Sequence, residues 1–251
     1  MRTIDVSAEP RDLNAVKGLW LGSSLATAAV GIVGSLVLAS RIEGGVGYLL
    51  ETYLVSYALL LSLSLGALFF VMLQHATRAG WSVVVRRIAE GIACNVGPMA
   101  ILAIPIVWGM GHLYHWSHAE AVAHDPILAA KVGFLNPTFF VIRLVIYFAV
   151  WIVLSWILRH TSVTQDATGD PRLTRRMEIL SPPGLVLFAL TINFAAFDLL
   201  MSLDPHWFST IFGVYYFSAS VVCFCAVMPK ILAGLQSRGV LSNAVTVEHY
   251  H

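Results

Sequence analysis

The chain has 251 residues, 58% of them apolar and only 12% charged, against roughly a quarter charged in an ordinary soluble domain. Fifteen Lys and Arg with 14 Asp and Glu cannot make the polar skin that a soluble core of this size requires, which excludes a typical water-soluble enzyme. A net charge of +1 leaves no basic excess for phosphates, so nucleic-acid binding has no electrostatic support.

Apolar runs long enough to cross a bilayer, about 20 helical residues each, are predicted at about 19–39, 52–74, 90–110, 138–158, 183–203 and 208–229. They are apolar on every face and do not alternate as barrel strands do. The expected fold class is therefore all-α, a polytopic transmembrane helical bundle with six spans. Residues 1–18 read as a cytoplasmic N-terminal tail, 19–229 as the bundle and 230–251 as a further cytoplasmic segment. The first span is too long for a signal-peptide core and reads as an uncleaved anchor. Basic residues divide between the loops. One side holds Arg2, Arg11 and Lys17, then Arg78, Arg86 and Arg87, then Arg159, Arg172, Arg175 and Arg176, then Lys230 and Arg238. The other holds only Arg41 and Lys131, with Arg143 inside the fourth span. Both termini are thus expected in the cytoplasm.

Start signals mark several boundaries, since a short polar cap followed by proline satisfies free amides and presets the first turn. Asn136-Pro137 is expected to open the fourth span, Ser181-Pro182 the fifth and Asp204-Pro205 the sixth. The connection 112–136 carries a Ser117-x-x-Glu120 capping box and an Asp125-Pro126 start with Gly133 as a stop, which predict two short surface helices. The stretch 160–181 reads as a polar cytoplasmic loop. Trp20, Trp81, Trp108, Tyr114, Trp116, Trp156 and Trp207 are expected near the interfaces. Gly97-Pro98 and Pro105 interrupt the third span. No internal repeat is evident.

Charges inside the apolar layer have partners or purposes. Arg143 and Asp198 both fall roughly 7–9 Å below the outer boundary at helical rise, so the two can pair. The pair reads either as a packing device or as a proton-accepting carboxylate beside a quinone head group or proton route. Thr191 shares the Asp198 face of the fifth span, while Asn193 lies elsewhere. Glu90, with Asn95 above it, reads as a solvated helix start or an inner proton mouth. His75 reads as an interfacial histidine or a proton-uptake group. His112, His115, His118, His124 and His206 lie on the outer side. The 112/115/118 spacing fans the rings apart on a helix, so no metal is expected there. One of these histidines is a candidate for proton release. Asp204 most simply caps the turn at His206 and Trp207. Cys94, Cys223 and Cys225 lack cluster or haem-attachment spacing, and no histidine sits deep in a span for bis-histidine haem. The chain is therefore expected to lack a redox centre of its own, and its contribution to electron transfer would be a quinone pocket, a proton path or an anchor.

The strings QHATRAGWSVVVRRIAEGIA at 74–93, GFLNPTFFVIR at 133–143 and FDLLMSLDPHWFSTIFGVYYFSAS at 197–220 resemble NrfD/PsrC-type polytopic membrane subunits. The resemblance is strongest to the F-type subunit of alternative complex III, a quinol:cytochrome c or quinol:oxidase oxidoreductase, and it runs from the first span to the end of the chain. It implies an anchor in the bacterial cytoplasmic membrane beside a sister polytopic subunit. Peripheral partners would carry iron–sulfur clusters and haem c, and quinol oxidation would be coupled to proton movement. Residue by residue it supports Asp198, Asp204 and His206 around LDPHW, Arg143 after LNP, and His75 with Glu90 around the GW turn. The family's quinol pocket lies chiefly in the sister subunit. The family also continues into further spans, so the chain reads as a fragment whose residues 230–251 lead toward them. Two other classes stay open from the residues alone: a secondary transporter or ion channel, and a purely structural membrane anchor.

Overall fold

The computed structural model describes residues 14–250. Arg2, Arg11 and most of the expected N-terminal tail lie outside the described residues. The chain is an all-α bundle, and six of its helical segments are long and apolar enough to cross a membrane. In chain order the helices are α1 (Asn14–Ala39), α2 (Gly45–Ala76), α3 (Val83–Ala93), α4 (Val96–Leu102), α5 (Ile104–Trp108), α6 (Met110–Leu113), α7 (Ala119–His124), α8 (Pro126–Lys131), α9 (Pro137–Thr168), α10 (Pro171–Leu199) and α11 (Phe212–Gln236). The third span is the broken line α3–α5, Val83–Trp108.

Helix α2 is the central post. It packs against α11, α10 and α3, while α10 also packs against α9. Close approach to α11 depends on Gly66, where an added Cβ would stand 2.1 Å from the Ser220 carbonyl oxygen. Rings of Phe69 and Phe217 meet edge to face beside this contact, with centroids 4.8 Å apart. Helix α1 touches chiefly α2 and leaves Leu25, Val30, Ile32 and Leu36 exposed, as expected of side chains whose solvent is lipid rather than water. The Arg238 guanidinium lies 5.0 Å from the Trp20 ring centroid. The start of the first span and the end of the sixth therefore share one end of the bundle. That end also carries the α2–α3 and α9–α10 turns, and we call it the hairpin end. The opposite, loop end holds residues 109–136 and 200–211.

Capping chemistry decides which start signals operate. Asn136 opens α9 by accepting from the Phe139 amide at 2.9 Å, and Asp125 opens α8 by accepting from the amides of Ile127 and Leu128. Asn136→Ala should lower stability by about 1 kcal/mol, read as a modest fall in the melting temperature of the detergent-solubilised protein.

Several boundaries differ from the sequence expectation: the second span starts at Gly45 and the third at Val83, so Glu90 lies buried within α3 and is not a solvated helix start. Ser181-Pro182 does not begin the fifth span, because Asp170 caps α10 eleven residues earlier by accepting from the Arg172 amide. The buried face of Met177, Ser181, Gly184 and Phe188 then carries the helix through both prolines, with the Ser181 hydroxyl donating back to the Met177 carbonyl at 2.8 Å. The stretch 160–181 is consequently not a loop. It is the end of α9 and the start of α10, joined at Gly169, whose φ of 67° is the left-handed conformation that favours glycine. Asp204 accepts from the amides of His206 and Trp207, as expected, yet α11 begins only at Phe212. Ser117 forms no capping box, since its hydroxyl donates to the Tyr114 carbonyl and His118 is the N-cap of α7. Tyr114 and Trp116, in the loop-end connection, are buried, their rings tilted against Phe140. Trp81, Trp108, Trp156 and Trp207 are exposed.

Candidate functional site

Two buried polar clusters stand at opposite ends of α9. At the loop end, Arg143 and Asp198 form a bidentate pair. Nε donates to Oδ2 at 2.8 Å and Nη2 to Oδ1 at 2.7 Å. Asp198 is fully buried and Arg143 is 6% exposed. The Tyr147 hydroxyl donates to Asp198 Oδ2 at 2.7 Å, so both carboxylate oxygens are engaged. The guanidinium also has support independent of the acid. Nη1 donates to the Phe134 carbonyl at 2.8 Å, and the rings of Phe134 and Phe139 lie 3.8 and 4.3 Å from it. Such faces attract a desolvated cation. The Ser202 hydroxyl donates to the Asp198 carbonyl and ties down the end of α10.

At the hairpin end, Glu90 is 2% exposed and accepts from Arg87 Nη1 at 2.9 Å, with Arg86 Nε 3.8 Å from its other oxygen. Arg87 reaches across to Asp166 as well, joining α3 to the extension of α9. Arg159 adds positive charge near Glu90. His75, 2% exposed, closes α2 beside this group. Five buried side-chain polar atoms among the described residues lack a hydrogen-bond partner. Four of them, on Gln74, His75, Glu90 and Arg159, belong to this end. Unpaired polar atoms are costly in a dry interior, which sets the hairpin-end cluster apart from the fully partnered pair at the loop end. Glu178, between Arg78 and Arg175 at 3.2 and 3.1 Å, forms its outer rim.

A row of side chains on α9 runs between the clusters. Arg143, Tyr147, Trp151, Ser155 and Arg159 follow at every fourth residue, a row that drifts about 40° per step and so winds about 160° round the helix from its first member to its last. All are buried except Arg159, which is half-buried. The Trp151 indole donates to Thr191 Oγ1 at 2.8 Å, and the Ser155 hydroxyl donates to the Ile152 carbonyl. From Arg143 to Arg159 the stripe rises about 24 Å at helical pitch, most of the roughly 30 Å of a hydrocarbon layer. The expected pairing of Arg143 with Asp198 and the shared face of Thr191 and Asp198 are thus both present. Tyr147, Trp151 and Ser155 were not among the sequence candidates. Their spacing of four from Arg143 is the signal that could have found them.

The remaining candidates sit at the loop-end surface, apart from the buried clusters. His206 Nε2 lies 2.6 Å from Asp125 Oδ2, and its Nδ1 is 3.9 Å from Asp204. The pair joins the cap of α8 to the 204–207 turn. His112 is exposed on α6 and enters neither cluster. His115, His118, Glu120 and His124 border a surface depression of about 420 Å³. No group of three or more His, Cys, Asp or Glu among the described residues is arranged to hold a metal ion.

Desolvation opposes ionisation of Asp125, but the Ile127 and Leu128 amides and the His206 ring outweigh it and hold the carboxyl below its usual range. A depressed carboxyl stabilises the fold above its unfolded-state pKa, and that contribution is lost as pH falls through the folded-state value. Amide protection factors at Ile127 and Leu128 should therefore hold at mildly acidic pH and fall only below the ordinary carboxylate range. Loss beginning at higher pH would count against the cap.

No protein-family model matches the chain, and no curated protein matches it. Fold and site together define a multi-pass membrane protein with polar groups buried at both ends of α9.

Proposed function

We propose that this chain is the proton-handling membrane subunit of a bacterial respiratory quinol oxidoreductase similar to alternative complex III. In this reading it sits in the cytoplasmic membrane beside a sister polytopic subunit that oxidises quinol. Peripheral partners with iron–sulfur clusters and haem c take the electrons. The distribution of basic residues supports a cytoplasmic hairpin end and, with it, cytoplasmic termini for this chain. The observation that carries the proposal is the row of polar and aromatic side chains that winds along α9 from Asp198 and its partner Arg143 toward Arg159, beside Glu90.

The chemistry is proton transfer. Glu90 and His75 take protons from the cytoplasm through water at the unpaired atoms. The rungs at Trp151, Thr191 and Ser155 carry donors and acceptors but no group that titrates near neutral pH, so the proton between the ends travels on water. Asp198 is the acceptor at the far end, with Tyr147 as its relay. Protonating it breaks the ion pair with Arg143, and the Phe134 carbonyl with the two rings offsets part of that cost while the acid is transiently neutral. His206, Asp204, Asp125 and His112 lie on the exit surface, where a histidine passes protons to water.

The test is purification through a tag on this chain in mild detergent, followed by absorbance spectroscopy. Haem bands arriving with the chain are expected. Purification free of haem and iron–sulfur partners would contradict the proposal and favour a transporter or channel.

A second reading, the structural anchor, is favoured by one observation: each of the three guanidinium nitrogens of Arg143 already has a partner. It expects quinol turnover to survive any change at the pair that leaves the complex assembled.

A further inference from the structure

A cavity of about 520 Å³ opens at the loop end, between the α8–α9 connection and the α10–α11 connection. That volume falls in the range of about 300–1,000 Å³ that holds small-molecule ligands. Its walls are apolar, chiefly Phe134, Leu135, Phe197, Met201, Trp207 and Phe208. Trp207 and Phe208 are 51% and 70% exposed at the mouth, as aromatic residues are at a membrane–water boundary.

Lys131 lines the same cavity. Its ammonium donates to the Pro205 carbonyl and stands 5.8 Å from the Phe208 ring centroid. An ammonium has three donors, and no carboxylate among the described residues pairs with this one. The nearby acids are committed elsewhere, Asp198 to Arg143 and Tyr147, Asp125 to His206 and two amides, and Asp204 to the amides of His206 and Trp207. At the hairpin end, by contrast, Arg78, Arg86, Arg87 and Arg175 all face carboxylates. Lys131 is thus a half-buried cation without an anion, at the mouth of a greasy slot in the boundary layer.

We infer that this cavity binds an acidic phospholipid, with the phosphate on Lys131 Nζ and an acyl chain in the slot between Phe197 and Phe208. The unpaired charge selects an anion, and the apolar walls select a chain attached to it. Phe134 is both a wall of the cavity and the cover of the Arg143 guanidinium. A lipid seated there braces the loop that holds the buried pair. The inference stands on the membrane fold and does not depend on the quinol reading.

Native mass spectrometry of the purified chain, titrated with phosphatidylglycerol or phosphatidylcholine, tests it. The wild type should retain phosphatidylglycerol roughly fivefold better, the contribution of one basic residue at a membrane surface. Lys131→Gln should erase the preference, and Lys131→Arg should keep it. Equal retention of both lipids by the wild type, or an unchanged preference in Lys131→Gln, would overturn the inference. So would full competition by inorganic phosphate, which has no chain. A quinone held in place of the phospholipid, or a cross-link from Lys131 to a partner subunit's carboxylate in the assembled complex, would overturn it equally.

Discussion

Asp198→Asn should be among the most damaging single changes in this protein, and a second substitution should reverse the damage. Removing one member of a buried ion pair leaves its partner charged without compensation, at a cost of about 3–5 kcal/mol. Here the stranded group is Arg143, 6% exposed, whose remaining support is the Phe134 carbonyl and two ring faces. The single variant should therefore accumulate poorly or melt well below the wild type. The double variant Arg143→Gln with Asp198→Asn removes both charges and should regain much of the lost stability. That recovery gives the decisive sample. If the pair only holds α9 against α10, the recovered complex turns over quinol normally. On the proton-handling proposal it assembles but moves markedly fewer protons per quinol oxidised.

Gly66→Ala should be comparably severe for a different reason. The added methyl would lie 2.1 Å from the Ser220 carbonyl oxygen, 2.8 Å from its carbon and 2.9 Å from Phe224 Cβ. Two of those atoms are backbone, so no rotamer change relieves the collision and α11 must move away from α2. Small residues let membrane helices approach this closely, and overpacking a tight contact costs about 1–3 kcal/mol or more. Separation would also loosen the rings of Phe69 and Phe217 and unseat the Tyr216 hydroxyl from the Ala58 carbonyl. Expression with a fluorescence-detected size-exclusion profile checks this, the expected result being loss of the monodisperse peak. Gly97→Ala is the control, because a Cβ there meets nothing within 4 Å. Equal behaviour of the two variants would refute the close-packing argument.

The spans were legible because lipid leaves so little choice: about 20 apolar residues must be helical to satisfy their own backbone. The partnership of Arg143 with Asp198 was legible for the same reason, since two opposite charges at equal depth have few other partners. Boundaries were less so. Asn136-Pro137 and Ser181-Pro182 look alike in sequence, but only the first has no helix already running into it. Asp170 starts α10 earlier, and packing of Met177, Ser181 and Phe188 carries it through Pro182. Asp204-Pro205 makes the expected turn without nucleating α11, because the chain stays irregular around the cavity before Phe212. The middle of the site was hidden by residue type. Tyr147, Trp151 and Ser155 pass as ordinary membrane residues, and only spacing of four joins them to Arg143. The hairpin-end cluster was hidden by distance, since Arg159 and Asp166 come to Glu90 and Arg87 from far along the chain.

Quinol-driven proton movement in vesicles carrying the complex with Tyr147→Phe tests the central claim most directly. The change removes one hydroxyl and leaves the Arg143–Asp198 pair, its charge balance and the packing of the ring in place. The expected result is a normally assembled complex, with the melting temperature nearly unchanged, in which proton translocation per quinol is markedly reduced. Translocation equal to the wild type in that same stable complex would contradict the role assigned to the α9 stripe.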